Sequence, residues 1–177
     1  MWKLVKSLFG FGESNHPADD NELVSDEPKA WTIREGKAVP VDQAFEAWTS
    51  GSLPQMLNAL GTKTNLVDRH FLLMGIVNET YRLRSDPKMA EKCLEVAQMH
   101  IDEFPAIVPA LKREFDGALP RVTTFQHYAT LLTERGDFEK AIQVCEAAIG
   151  YGLEDGTKGG FEGRIDRIKK KASLGET

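Results

Sequence analysis

Two stretches of this chain carry one pattern. Ser85-Asp-Pro-Lys-Met-Ala-Glu-Lys-Cys-Leu-Glu-Val-Ala and Gly136-Asp-Phe-Glu-Lys-Ala-Ile-Gln-Val-Cys-Glu-Ala-Ala set Ala90 over Ala141, Leu94 over Cys145 and Ala97 over Ala148, each 51 residues apart. Small and apolar residues at three- and four-residue spacing form one face of a helix. A pattern that returns with its turn attached makes each copy the second arm of a helical hairpin, and hairpins of this kind bury their faces by stacking. The usual unit is about 34 residues, so the longer offset leaves room for a further short helix between the copies.

Helix punctuation agrees. From Val41, Ala44, Phe45, Ala47 and Trp48 suggest a helix halted by Ser50-Gly51. A second runs from Leu53 to Leu60, with Pro54 in the first turn, where a missing N–H costs nothing. Asn65 reads as an N-cap, with Asp68 three residues on as a weak capping-box partner, for a helix over 66–84 that is apolar on several sides. Asp86 and Pro87 open the next helix and Pro105 ends it, since proline breaks the hydrogen-bond ladder. A short helix follows over 109–115, then one over 124–135 stopped by Gly136. Asp137 opens another, and the last spans about 160–172. Ahead of them, Trp31-Thr-Ile-Arg followed by Glu-Gly-Lys reads as a short hairpin or an extended arm. No run of strands stands out. The expected fold is all-α: stacked antiparallel helical hairpins in a domain over 41–177, a capping C-terminal helix, and a mostly irregular arm over 1–40.

Charge divides along the same line. The chain has a net charge of −5, and residues 12–36 hold seven acids (Glu13, Asp19, Asp20, Glu22, Asp26, Glu27, Glu35) against Lys29 and Arg34. The rest is balanced, which argues against a general nucleic-acid binder, because such proteins need a basic field. Residues 10–29 have linker composition. Residues 1–9 could form two amphipathic turns carrying Lys3 and Lys6, too short for firm membrane contact. With no long apolar run and two cysteines set in apolar helical patterns, the expected location is the cytoplasm.

Residues 125–149 resemble a tetratricopeptide repeat. Phe125 stands at the first aromatic position, Ala129 at the small one, and Gly136-Asp137-Phe138 matches the turn. Ala141, Cys145 and Ala148 fill the small and apolar places of the second helix. The copy over 70–101 departs at Asn78 and Pro87. The resemblance implies a short α-solenoid whose first helices line a groove for a protein or peptide. Carried over to this chain, the groove residues are Gly75, Glu79 and Arg82, then Gln126, Thr130 and Thr133. The partner could also be the chain's own N-terminal arm or a second copy.

Chemistry is sparse. His70 lies two residues from Asp68, which on a helix points it elsewhere. Cys93 and His100 are about 10 Å apart along a helix axis, too far to share a metal, so neither a metal nor a cofactor is expected. The stretch Asp-Gly-Thr-Lys-Gly-Gly-Phe-Glu-Gly-Arg is the rival candidate. Its loop 156–163 could hold an anion or nucleotide through Lys158, Gly159, Gly160 and Arg164 at the start of the basic helix. A phosphate cradle, however, needs a strand before its glycines, and here a helix precedes them. The leading expectation is a non-enzymatic adaptor, and the alternative is an enzyme or anion-binding protein built on that loop.

Overall fold

A computed structural model describes residues 30–175. The expectations for residues 1–9 and the acidic linker over 10–29 lie outside the described residues. The order is β1 (Trp31–Arg34), β2 (Lys37–Pro40), α1 (Gln43–Ser50), α2 (Leu53–Ala59), α3 (Leu66–Arg82), α4 (Pro87–Glu114), α5 (Thr124–Arg135), α6 (Phe138–Gly150) and α7 (Gly160–Gly175). The described chain is mostly helical, broadly consistent with the all-α expectation, and of the two readings for the stretch from Trp31 the short hairpin holds, as one two-stranded antiparallel sheet. In it Trp31 faces Pro40 and Ile33 faces Ala38. Glu35 and Gly36 turn the hairpin with φ of 51° and 75°, the left-handed pair that a tight hairpin requires.

The helices begin and end as their caps dictate. Asn65 accepts from the Asp68 amide at 2.9 Å and Asp86 from the Lys88 amide at 2.8 Å. Gly136 closes α5 at φ 86°, its N–H bonded back into the last turn, a conformation that costs glycine little. Pro105 corrects the reading most. It does not end a helix, and no separate helix spans 109–115; α4 runs unbroken for 28 residues with Pro105 and Pro109 inside it. Each proline removes one ladder bond, and both lie on the exposed side of the helix.

Helix α3 packs along α4, α5 along α6, and α4 and α6 pass onward to α5 and α7. Ala129, Ala141, Cys145 and Ala148 are fully buried, so small side chains let α5 and α6 approach closely. Phe104 of α4 meets Phe125 of α5 edge-on at 5.2 Å and Tyr151, just past α6, at 4.9 Å. Such pairs add about 1 kcal/mol each beyond their area burial. Arg69 forks onto Glu103 at 2.8 and 2.7 Å and donates to the Leu60 carbonyl, clamping α3 to α4.

The hairpin is tied to this body by one carboxylate. Asp68, 1% exposed, accepts from Arg34 Nε and Nη2 at 3.1 and 2.7 Å, from Trp48 Nε1 at 2.9 Å and from Asn65 Nδ2 at 2.5 Å. Glu114 at the end of α4 takes the Glu35 amide and pairs with Arg34 at 3.6 Å. Removing one partner of a buried pair strands the other's charge. Arg34→Ala is therefore expected to lower unfolding stability in urea by about 2–3 kcal/mol. Arg82→Ala, which breaks only an exposed pair with Glu79, should shift it too little to resolve.

Candidate functional site: the face shared by α3, α5 and α7

Three helices adjoin along one side of the molecule. Thr123 donates to Asn78 Oδ1 at 2.5 Å, linking the start of α5 to α3. One turn on, His127 stacks on Tyr81 with centroids 3.9 Å apart. Arg84 lies over the same Tyr81 ring at 4.1 Å and reaches Glu134 at 3.6 Å. On the other flank of α5, Arg164 of α7 donates to Thr130 Oγ1 at 2.9 Å, and Lys171 reaches the Thr133 carbonyl at 3.4 Å. Between α5 and α7 opens a hollow of about 270 Å³ lined by Thr130, Thr133, Glu134, Arg164, Arg167, Ile168 and Lys171.

The electrostatics of this face are positive. Burial first, and then the charges of Arg164, Arg84 and Arg121, push the His127 pKa down to about 4. At neutral pH the imidazole is an uncharged stacking plate among three guanidinium groups. Two of the three have carboxylate partners, Arg84 in Glu134 and Arg164 in Asp155. Asp155, with no exposed side-chain surface, takes Arg164 Nε and Nη2 at 3.2 and 3.1 Å and the Thr157 amide and hydroxyl at 2.9 and 2.6 Å. Burial alone would raise its pKa, but those bonds more than offset it and the net shift is downward. Arg121, Arg167 and Lys169 to Lys171 have no carboxylate partner among the described residues.

Gly156 leaves room for one of these side chains: it holds φ 75°, and a Cβ on it would come within 2.8 Å of Arg121 Nη2, whereas one on Gly163 would meet Arg167 Nη1 at 3.5 Å, an ordinary contact. Lys158, Gly159 and Gly160 line a neighbouring hollow of about 430 Å³ together with Glu154 and Glu162. The Glu162 carboxylate sits 3.1 Å from where a Cβ of Gly160 would be, at the amino end of α7 where an outside anion would bind. Arg164 is absent from that hollow, being held by Asp155 and Thr130.

Of the groove residues expected from sequence, Thr130 and Thr133 meet Arg164 in one hollow. Gln126 lies one turn before Thr130, and its buried Oε1 has no partner. Gly75, Glu79 and Arg82 are placed differently. Gly75 lies under Met56 of α2, whose Sδ would be 2.7 Å from an added Cβ, and Glu79 pairs with Arg82. The residues that meet α5 are Asn78 and Tyr81 of α3 and Arg84 just past its end. Periodicity allowed either stripe; the partners that distinguish them, Thr123, His127 and Glu134, are some 45 residues away.

Other reactive groups are sealed in the core. Cys93 and Cys145 are buried free thiols, and burial pushes Cys145 up to about 11, away from reactive thiolate. His70 Nδ1 lies 3.0 Å from His100 Nε2, and His100 Nδ1 lies 2.7 Å from Thr124 Oγ1. His70 Nε2 is buried without a partner. An orphaned N–H is rarer in proteins than an orphaned acceptor, so the bonds run His70 to His100 to Thr124 and leave Nε2 as a bare lone pair. Among the described residues no three His, Cys, Asp or Glu side chains gather to hold a metal ion, and no helix is long and apolar enough to cross a membrane.

Burial holds His70 down at about 4, and burial followed by the neighbouring His70 and Arg69 holds His100 lower than usual. The unfolded chain, titrating near 6.5, takes up protons that the folded one refuses. Stability should thus be level above about pH 7 and fall by about 1.4 kcal/mol per pH unit per histidine below pH 6.5. Urea midpoints from pH 7.5 to 4.5 check this, and His70→Gln should flatten the slope.

Compared with family models, with curated proteins and with solved structures, the chain matches none.

Proposed function

We propose that this chain is a non-enzymatic adaptor that binds an acidic protein segment along the face shared by α3, α5 and α7. In this reading the pairs α3/α4 and α5/α6 stack in the manner of tetratricopeptide repeats, and α7 closes the stack. The onward packing of α4 on α5 and α6 on α7, with Ala129, Ala141 and Ala148 buried between helices, supports that arrangement. The observation that carries the function is the pair of cations without carboxylate partners, Arg167 and Lys171, in the hollow between α5 and α7, with the Tyr81–His127 stack on the other flank of α5. A peptide with carboxylates and an interspersed aromatic would meet both, and opposed charge speeds and selects such encounters. Buried free thiols accord with a reducing, cytoplasmic setting.

The glycine-loop alternative has less to recommend it, because Glu154 and Glu162 already place negative charge in that hollow. Fluorescence anisotropy tests the main reading with a fluorescein-labelled peptide, three repeats of Glu-Phe-Asp-Gly-Ser. Binding should weaken about tenfold or more in the full chain carrying Arg167→Glu and Lys171→Glu, and should be unchanged by Arg82→Ala. Equal binding by the charge-reversed chain, or equal binding of the same peptide with lysines for acids, would contradict it.

A further inference from the structure

We infer that the outer edge of β1 is a strand-pairing surface whose occupant is β1 of a second copy of this chain, the two hairpins joining antiparallel into one sheet. This surface is separate from the α3, α5 and α7 face and does not depend on the adaptor reading. The Val41 amide bonds the Ala30 carbonyl at 2.9 Å, Trp31 stands opposite Pro40, and Ile33 stands opposite Ala38. Opposed residues in an antiparallel ladder alternate between bonded and non-bonded pairs. Ala30, Thr32 and Arg34 therefore turn their backbone groups toward β2, while the amides and carbonyls of Trp31 and Ile33 point away from it. Among the described residues these outward groups take one bond, from Arg34 Nη1 to the Ile33 carbonyl at 2.8 Å, which leaves that oxygen a second lone pair.

The two edges of the hairpin differ. Exposed edges are commonly closed by lysine or proline, because an open row of amides and carbonyls recruits another strand. On β2 the outward positions are Ala38 and Pro40, and Pro40 has no N–H to offer. Strand β1 has neither device. It carries Trp31 and Ile33 instead, 60% and 59% exposed, on the face opposite Thr32 and Arg34.

What completes this edge is the same edge of another copy. A two-fold pairing centred on Thr32 sets Trp31 opposite Ile33 of the second copy, and Ile33 opposite Trp31 of the second copy. Every outward amide then meets an outward carbonyl and none is left over. Centring on Trp31 or on Ile33 instead sets like against like and leaves the other residue beyond the end of the opposing strand. On the exposed face each indole, already beside Pro40, gains an isoleucine on its other side, an aromatic and β-branched pair of the kind that stabilises sheets. Arg34 falls opposite Ala30, so no like charges meet. A foreign strand could meet the same groups, but self-pairing satisfies all of them on both sides in a single register. The contact is smaller than the roughly 800 Å² per partner of a standard interface, so one and two copies exchange as concentration changes.

Two measurements on the full chain test this. In sedimentation velocity between about 5 and 500 µM, the weight-average mass should climb toward twice that of one chain. Ile33→Pro removes an outward amide and no bond to β2, and should abolish the climb. Ala38→Pro, the same change at an outward position of β2, should leave it intact. In the second measurement, Thr32→Cys should give a disulfide-linked dimer under mild oxidation. Across the two-fold axis its neighbour is its own counterpart in a non-bonded pair, about 4.5 Å away between Cα atoms, within disulfide reach. Ala38→Cys, three strand spacings or roughly 14 Å from its counterpart, should cross-link at least about tenfold more slowly. Cys93 and Cys145 are buried and do not contribute. Single-chain mass at every concentration would hand the edge to a strand of another protein and overturn the inference. A climb that survives Ile33→Pro would overturn it too, as would equal cross-linking of the two cysteine variants.

Discussion

The structure depends on α4 continuing through two prolines. Over 28 residues, about 42 Å, one rod supports the α3 hairpin, receives α5 and Tyr151 on Phe104, and ends at Glu114, which holds the turn of the β-hairpin. If it stopped at Pro105, Ile107, Ala110 and Leu111 would leave the core in which they are now fully buried. Proline is tolerated here because Pro105 and Pro109, four residues apart, share the wet side of the helix. The buried side keeps its apolar stripe, and burial of several large side chains at about 2 kcal/mol each outweighs the lost ladder bonds.

From that rod the cationic face follows. Helix α5, held against α4 by Phe125 and by Tyr128 bonded to Gln98 at 2.7 Å, presents His127 to α3 and Thr130 to α7. Asp155 fixes Arg164 and so sets where α7 lies against α5. The charges left over, Arg121, Arg167 and Lys171, are then a surface property rather than part of the scaffold.

Much of this was legible in the residues. Asn65, Asp86 and Gly136 mark helix ends through local bonds, and the repeated alanines mark faces that must lie close to a neighbour. Long-range partners were not legible. Asp68 looks like a cap companion of Asn65, and nothing local shows that Arg34, 34 residues earlier, would make it a buried anchor. Pro105 reads as a stop unless the wet side of its helix is known, which depends on the tertiary packing. The glycines at 156–163 suggest a phosphate loop, and the clearance that Gly156 gives Arg121 depends on a side chain 35 residues earlier in the chain.

The most direct measurement of this account is native-state hydrogen exchange along α4. The amides of Ile107, Val108, Ala110 and Leu111 should exchange as slowly as those of Val96 and Ala97, because one cooperative helix protects both halves. Exchange about a hundredfold faster from Ala106 onward would mean that the helix ends at Pro105 and that the common support of the α3, α5 and α7 face does not exist.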